Sequence, residues 1–280
     1  MNNIKTHSYP EAQSIIVCGD IHGEFNTLIF KLCIQYGMTD TLLIVAGDCG
    51  FGFDKPGYYE NVFRRNSARL TKANNWIATV RGNHDDPAYF NEGRISHLRF
   101  RTIQDYSVVQ ACGHNILCVG GAVSIDRSFR KEHDSRNHSL SRHFSRLSIA
   151  QASLALRSAY RKGSSGTASY WPDEMPIFDE PKLNEIDRLF KIDSVITHTA
   201  PSFCELLSKA GLSEWAERDA ELLSDCEKER ETMDRLFEHM KAAGHPLSHW
   251  YYGHFHQSWN SGINGVLFSM LDIMEFKEFR

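Results

Sequence analysis

The chain has 280 residues, of which 41% are hydrophobic, and its formal net charge is −4. This length suits one large α/β domain or two small ones, and the negative charge argues against a protein that coats nucleic acid over its whole surface. No apolar run reaches the ~18 residues that span a membrane, the N-terminus has no apolar signal core, and seven cysteines are scattered without CxxC pairs, so we expect a cytoplasmic protein with reduced thiols and no membrane contact.

The first predicted strand ends in a pair of polar side chains that could bind a metal. The run Ile15–Gly23 reads IIVCGDIHG, and its β-branched residues before Gly19 predict a buried strand. Asp20 and His22 follow, and positions i and i+2 of an extended chain point the same way. A carboxylate oxygen and an imidazole nitrogen are both good ligands for a divalent metal. A capping aspartate and a polar turn histidine are the alternative interpretation.

Four more apolar runs are each followed at once by side chains of the same kind. Short β-branched or aromatic runs bounded by glycine or polar residues are typical of buried strands. In chain order these strands and the residues after them are Leu42–Ala46 with Asp48, Trp76–Val80 with Asn83, His84 and Asp85, Ser194–Thr197 with His198, and His249–Tyr252 with His254 and His256.

The other regular elements follow from apolar spacing. Residues that recur every three or four positions predict helices, and glycine such as Gly37 can end one. The predicted helices are Glu24–Tyr36, Asn61–Lys72, Leu183–Phe190 and the acid-rich stretch Phe203–Met240; the predicted further strands are Val108–Gln110 and Ile116–Val119, with a closing hairpin or strand pair over Gly262–Phe276.

The five sets of polar side chains are predicted to meet. In open α/β sheets, sites form outside the carboxyl ends of the strands, so five separate loops could converge on one point. Each set also has an ordinary explanation. Asn83 could be a turn residue, His198 a core histidine, and His254 and His256 the edge of an exposed strand. The recurrence after these five strands favours a common site.

The ordered series GDIHG, GDCG, GNHD, THTAP and GHFH resembles the calcineurin-like metallophosphoesterase superfamily, in particular its bacterial members. The match runs from Asp20 to His256. The resemblance implies an α/β fold in which a two-sheet β-sandwich is flanked by helices. It also implies two divalent metal ions, and the mixed nitrogen and oxygen ligands suit manganese, which we expect, as well as iron, zinc or nickel.

The resemblance further implies a role for each residue of the series. Asp48 would bridge the two metals, His84 would stand beside them as a catalytic group without binding either, and Asp85 would orient the His84 ring. The first metal would take Asp20, His22, Asp48 and His256, and the second would take Asp48, Asn83, His198 and His254.

These roles predict a metal-dependent hydrolase of phosphate mono- or diesters. Two adjacent cations can supply hydroxide and neutralise charge on a phosphoryl group. The alternatives are a nuclease, a protein serine/threonine phosphatase, or a metal-bearing scaffold without catalysis. The phosphatase alternative is disfavoured by two differences from the protein phosphatases that these motifs resemble. Those relatives usually carry Asp-Arg-Gly soon after the second Gly-Asp, which is absent after Asp48. They also have GNHE where this chain has GNHD, ending in Asp85. The substrate and the oligomeric state stay open.

Residues 127–170 are predicted to form a basic helical insert within a single domain that spans residues 1–280. From Arg127 to Lys162 there are nine lysines or arginines and two acidic residues. The insert could be a basic lid or a strip that attracts nucleic acid, although a solvated helix packed by its apolar stripe is the simpler interpretation. Arg127 or Arg130 could reach a substrate phosphate, and Arg127 is our candidate; a surface arginine is the alternative.

Overall fold

A computed structural model of the chain describes residues 4–95, 97–132 and 170–279, and within them twelve strands form two β-sheets. The strands are β1 (Thr6–Tyr9), β2 (Ser14–Cys18), β3 (Thr41–Val45), β4 (Trp76–Thr79), β5 (Phe100–Thr102), β6 (Ser107–Ala111), β7 (His114–Val119), β8 (Ser194–Thr197), β9 (His249–Tyr252), β10 (Trp259–Ile263), β11 (Val266–Met270) and β12 (Phe276–Glu278). The larger sheet has the order β1-β6-β7-β8-β9-β11-β10, and the smaller has the order β12-β2-β3-β4-β5.

Helices cover the outer faces of both sheets. They are α1 (Phe25–Phe30), which a π-helical segment continues over Lys31–Gln35, α2 (Pro56–Lys72), α3 (Ala88–Asn91), α4 (Glu180–Leu189), α5 (Leu212–Ala216) and α6 (Leu222–Ala242). Residues 127–132 are helical as well. None of the described helices has both the length and the apolar character required to cross a membrane.

Side-chain alternation along the strands produces the layers. In β2, Ile15 and Val17 join the apolar cluster between the two sheets, while Ile16 and Cys18 join the cluster under α1 and α2. Successive residues of a strand point to opposite faces, so strands that are apolar on both faces must be covered on both. The result is the predicted two-sheet sandwich flanked by helices.

The parallel strands bring the functional loops together. β2, β3 and β4 are parallel neighbours in the smaller sheet, and β7, β8 and β9 are parallel neighbours in the larger one. Loops from the two sheets contact each other. The Nδ1 atom of His198, after β8 of the larger sheet, lies 2.8 Å from the carbonyl oxygen of Ala46, after β3 of the smaller sheet. The carboxyl ends of both sets of strands therefore share one edge of the sandwich.

Some elements differ from the sequence-based prediction. β1 and β5 were not predicted, because their sequences THSY and FRT are mostly polar and contain no apolar run. The closing hairpin lies earlier than expected and turns at Asn264-Gly265, both with positive φ, an arrangement typical of a type I′ hairpin. The helical stretch from Phe203 is shorter and divided into α5 and α6. Most of the predicted insert, residues 133–169, lies outside the described residues, and the single domain stays a prediction.

Candidate metal centre

One group of predicted ligands comes from three loops and is tightly clustered. Asp20, His22, Asp48 and His256 each offer a ligand atom, and these atoms all lie within 4.8 Å of one another. The His256 Nε2 atom lies 2.9 Å from Asp20 Oδ2 and 3.1 Å from His22 Nε2. Both carboxylates are fully buried. The loops after β2, β3 and β9 thus deliver their polar side chains to one point.

The other predicted ligands form a second group beside the first. Asn83 Oδ1 lies 3.0 Å from His198 Nε2 and 3.0 Å from His254 Nδ1. His198 Nε2 is also 3.1 Å from Asp48 Oδ1, whereas the other oxygen of Asp48 faces His22 Nδ1 at 4.0 Å. Asp48 therefore lies between the two groups, with one carboxylate oxygen toward each.

The chemistry of both groups fits divalent cations. Asp20 Oδ2 and Asp48 Oδ2 are both buried. Asp48 Oδ2 has no hydrogen-bond partner among the described residues, and the His256 contact to Asp20 Oδ2 does not have hydrogen-bond geometry. A buried carboxylate oxygen without a partner is costly, and a cation held between carboxylate, amide and imidazole groups would compensate it. Burial alone would raise the pKa of Asp48, but the neighbouring imidazoles of His84 and His198 hold that pKa well below its usual range.

Unusual backbone conformations aim several of these side chains. His22, Asp48, His254 and His256 have φ values of 44°, 46°, 71° and 53°, a region that non-glycine residues rarely adopt. Such conformations cost of order 1 kcal/mol each and concentrate at functional sites. A Cβ atom on Gly82 would lie 2.1 Å from Asp48 Oδ1, so only glycine lets the loop after β4 approach this carboxylate.

His84 stands at the mouth of the site. Its backbone N–H donates to Asp48 Oδ1 at 2.8 Å, and its ring Nε2 lies 3.8 Å from Asp48 Oδ2. Arg130 Nη2 approaches the same ring nitrogen at 2.5 Å. Burial, together with the positive charges of Arg130 and Lys209, holds the pKa of His84 well below its usual range despite the opposing charge of Asp48. The imidazole therefore contacts one cationic side chain, that of Arg130, and the charge of Lys209 acts on it as well.

Asp85 has different partners from those the sequence suggested. The expected hydrogen bond to the His84 ring is not found among the described residues. Burial and the charge of Asp48 raise the pKa of Asp85 to about 6, against the lowering effect of its backbone hydrogen bonds. Its two oxygens accept from four backbone N–H groups at 2.8–3.1 Å: those of Cys49, Gly50, Phe51 and Gly82. This carboxylate thus joins the loops after β3 and β4, which carry Asp48 and Asn83.

Arg127, the candidate substrate contact, is engaged elsewhere. Its guanidinium donates to both oxygens of Asp219 at 2.7 and 3.1 Å and to Asp225 at 2.7 Å, and its side chain is only 6% exposed. The two carboxylates use all three nitrogens, so this geometry gives Arg127 a structural role that anchors residues 127–132 to the start of α6. Arg130, one turn later, is the arginine that faces His84.

Replacement of Arg127 by methionine should destabilise the protein. The change leaves Asp219 and Asp225 without their shared partner, and loss of one member of a buried ion pair typically costs about 3 kcal/mol or more. For a chain of this size we expect the Tm to fall by roughly 6–12 °C, measured by thermal melting. Arg101→Met, at an exposed position, is the control and should change little. Equal melting temperatures for the two variants would contradict this role.

Sequence reasoning missed two polar residues behind the site. Ser124 and Glu174 are 1% and 2% exposed. The Ser124 hydroxyl accepts a hydrogen bond from Asn83 and donates one to Glu174. Ser124 follows β7, so its place after a parallel strand was an available signal. Glu174 lies beyond the predicted insert, and no local pattern marks it.

Comparison with known proteins agrees with the fold and with the family resemblance. The sequence model of the family described as calcineurin-like phosphoesterase matches residues 13–258. A crystal structure of TT1561 from Thermus thermophilus resembles the chain with a TM-score of 0.51 at 11% identity, and the similarity covers 96% of this chain and 99% of that one. At this identity the likeness shows the fold alone.

Two other solved structures are similar at lower scores. The phosphopantetheinyl hydrolase of Mycobacterium tuberculosis has a TM-score of 0.45 and 12% identity, with 95% of each chain covered. A dimetal phosphatase from Danio rerio has a TM-score of 0.45 and 10% identity, with 95% of this chain and 88% of that chain covered. No curated protein sequence matches.

Proposed function

This chain belongs to the calcineurin-like phosphoesterase family, whose members hydrolyse phosphoric esters, and we propose that it acts on phosphate mono- or diesters with two divalent cations. The observation that carries the proposal is the position of Asp48. One oxygen of this buried carboxylate faces His22 and the other lies 3.1 Å from His198. A carboxylate shared by two adjacent cations offsets their mutual repulsion, so the position of Asp48 supports a dinuclear site. We propose manganese, which suits mixed nitrogen and oxygen ligands.

The cations, His84, Asp85 and Arg130 would each have a different role in hydrolysis. When bound, the two cations would supply a hydroxide nucleophile near neutral pH and offset negative charge on the phosphoryl oxygens. His84 stands beside the ligand groups. The negative charge of a bound phosphoryl group would offset the lowering of its pKa by Arg130 and Lys209, so that its imidazole can hold the proton that the leaving oxygen takes up. The Asp85 carboxylate joins the loops that carry Asp48 and Asn83, because it accepts hydrogen bonds from backbone N–H groups of both loops. Arg130 replaces Arg127 as our candidate contact to the phosphoryl group.

An assay with two model esters tests this function. Nitrophenyl phosphate and bis-nitrophenyl phosphate would be compared at equal manganese concentrations, with bound metal measured by elemental analysis. We expect turnover of at least one ester and no turnover after chelation. Protein that holds two metals per chain and turns over neither ester would contradict the proposal and favour a scaffold without catalysis. A role of the basic insert in binding nucleic acid stays a prediction, since residues 133–169 lie outside the described part of the chain.

Replacement of Arg130 by methionine should affect the monoester more than the diester. A monoester dianion carries one more negative charge than a diester, and Arg130 places positive charge beside His84. A charge-assisted hydrogen bond contributes about 1.5–3 kcal/mol, so kcat/KM for the monoester should fall roughly 10- to 100-fold. The control is Arg64→Met, which removes an exposed arginine on α2. Equal losses for the two esters would contradict this role for Arg130.

A further inference from the structure

The amide of Asn83 must face in one direction to act as a ligand. Its Oδ1 atom points to His198 and His254 at 3.0 Å each, and only this oxygen can bind a cation, because the amide nitrogen carries two hydrogens. On the other side, Asn83 Nδ2 donates to Ser124 Oγ at 2.8 Å. The amide is nearly symmetrical in shape, so hydrogen bonding rather than packing must determine which end faces the cations.

Glu174 determines which hydrogen bonds Ser124 can make. Ser124 Oγ donates to Glu174 Oε2 at 2.6 Å, and the Ser124 backbone N–H donates to Glu174 Oε1 at 2.9 Å. An ionised carboxylate can only accept, and a serine hydroxyl has a single proton to donate. Once that proton is directed to Glu174, the oxygen of Ser124 can only accept from Asn83. The NH₂ end of Asn83 must then face Ser124, and its carbonyl oxygen must face the cation site.

Glu174 is itself held in place by the loop that carries Asn83. Arg81 donates to the backbone carbonyl oxygens of Asp173 and Glu174 at 3.2 and 2.9 Å, and the backbone N–H of Ala122 donates to the same Glu174 carbonyl at 3.0 Å. Burial raises the pKa of Glu174 to about 7, although its hydrogen bonds to Ser124 lower it. At pH 8 most of this carboxylate is ionised, so it then acts as an acceptor alone.

We propose that Glu174 is a positioning residue which, through Ser124, orients the Asn83 amide toward the second cation. The inference rests on the proposed two-cation site, and it adds residues that the family-like motifs do not include. A purely structural carboxylate would also bind the Ser124 backbone N–H. It would, however, have no selective effect on one of two cation sites, and the two roles therefore differ in a measurable way.

Replacement of Glu174 by glutamine should reverse the direction of the hydrogen bonds that join residue 174, Ser124 and Asn83. The glutamine oxygen can accept from the Ser124 backbone N–H, which directs its NH₂ group at Ser124 Oγ. The hydroxyl proton is then released to donate to Asn83, and the amide is no longer held with its oxygen toward the cations. Loss of a residue that orients a metal ligand typically lowers affinity 10- to 100-fold. We expect that loss for the second manganese ion and not for the first, whose ligands Asp20, His22 and His256 are untouched.

The test is a manganese titration of the full chain at pH 8. Equilibrium dialysis with elemental analysis gives the number of ions bound, and electron paramagnetic resonance distinguishes coupled pairs from single ions. Wild type should bind two coupled ions. Glu174→Gln and Ser124→Ala should bind one ion with unchanged affinity and the second 10- to 100-fold more weakly.

Two controls separate positioning from loss of structure. Asp173→Asn makes the same chemical change at the adjacent exposed residue. Ser128→Ala removes a buried hydroxyl that has no hydrogen-bond partner among the described residues. Both should bind two ions as wild type does. If wild type binds two ions and Glu174→Gln binds them equally well, or loses both ions alike, the positioning role is wrong while the two-cation proposal stands. If wild type binds fewer than two ions, both proposals are overturned.

Discussion

Asp48→Asn should remove nearly all hydrolysis and most of the bound metal. Asp48 is the residue whose two oxygens reach both ligand groups, and an asparagine presents one oxygen and one NH₂ group in their place. The negative charge that offsets two adjacent cations is also lost. Loss of one group that stabilises transition-state charge typically costs about 10²–10³ in rate. Asp48→Asn would weaken both cations, so we expect kcat/KM to fall by roughly 10³-fold or more.

Elemental analysis and steady-state kinetics on the same preparation measure both effects. The matched control is Asp86→Asn, because Asp86 Oδ1 accepts a hydrogen bond from the backbone N–H of Ala88 at the start of α3 and the asparagine oxygen can accept the same bond. This control should keep its metal and lose little rate. A preparation of Asp48→Asn with two ions per chain and near-normal kcat would contradict the bridging position of Asp48.

His84→Ala should separate catalysis from metal binding. The His84 ring belongs to neither ligand group, and the backbone N–H that bonds Asp48 Oδ1 is retained by alanine. We therefore expect normal metal content. The rate should fall about 10²- to 10⁴-fold, the usual contribution of a positioned proton donor or acceptor.

The nature of the leaving group provides a sharper test of His84. Nitrophenolate leaves without much help from an acid, whereas an alkoxide needs a proton. The loss caused by His84→Ala should therefore be larger for an alkyl phosphate than for nitrophenyl phosphate. His114→Ala is the control, since His114 bonds Asp193 on another part of the sandwich. Loss of metal from His84→Ala, or an equal loss of rate for both esters, would show that proton transfer is not the role of this residue.

Much of the architecture could be predicted because its causes are local. The apolar runs of β2, β3, β4, β8 and β9 each record, within a few residues, that the strand is buried on both faces. The polar residues that follow these runs lie at the carboxyl ends of parallel strands, and the structure brings them together as two adjoining groups. Their service as metal ligands stays a prediction. The strands β1 and β5 were not predicted because their few, mostly polar residues contain no apolar run.

The amino-acid sequence by itself determined the buried strands and the polar side chains that follow them, since periodicity and chain direction are properties of short segments. The two-sheet sandwich was predicted from the family resemblance of these motifs. Only the tertiary structure decided which hydrogen bonds those side chains make. Arg127 pairs with Asp219, 92 residues away, and Glu174 reaches Ser124 across 50 residues. Such partners depend on the paths of long loops through space, and no local pattern records them. For the same reason Asp85 binds backbone amides where the motif suggested the ring of His84.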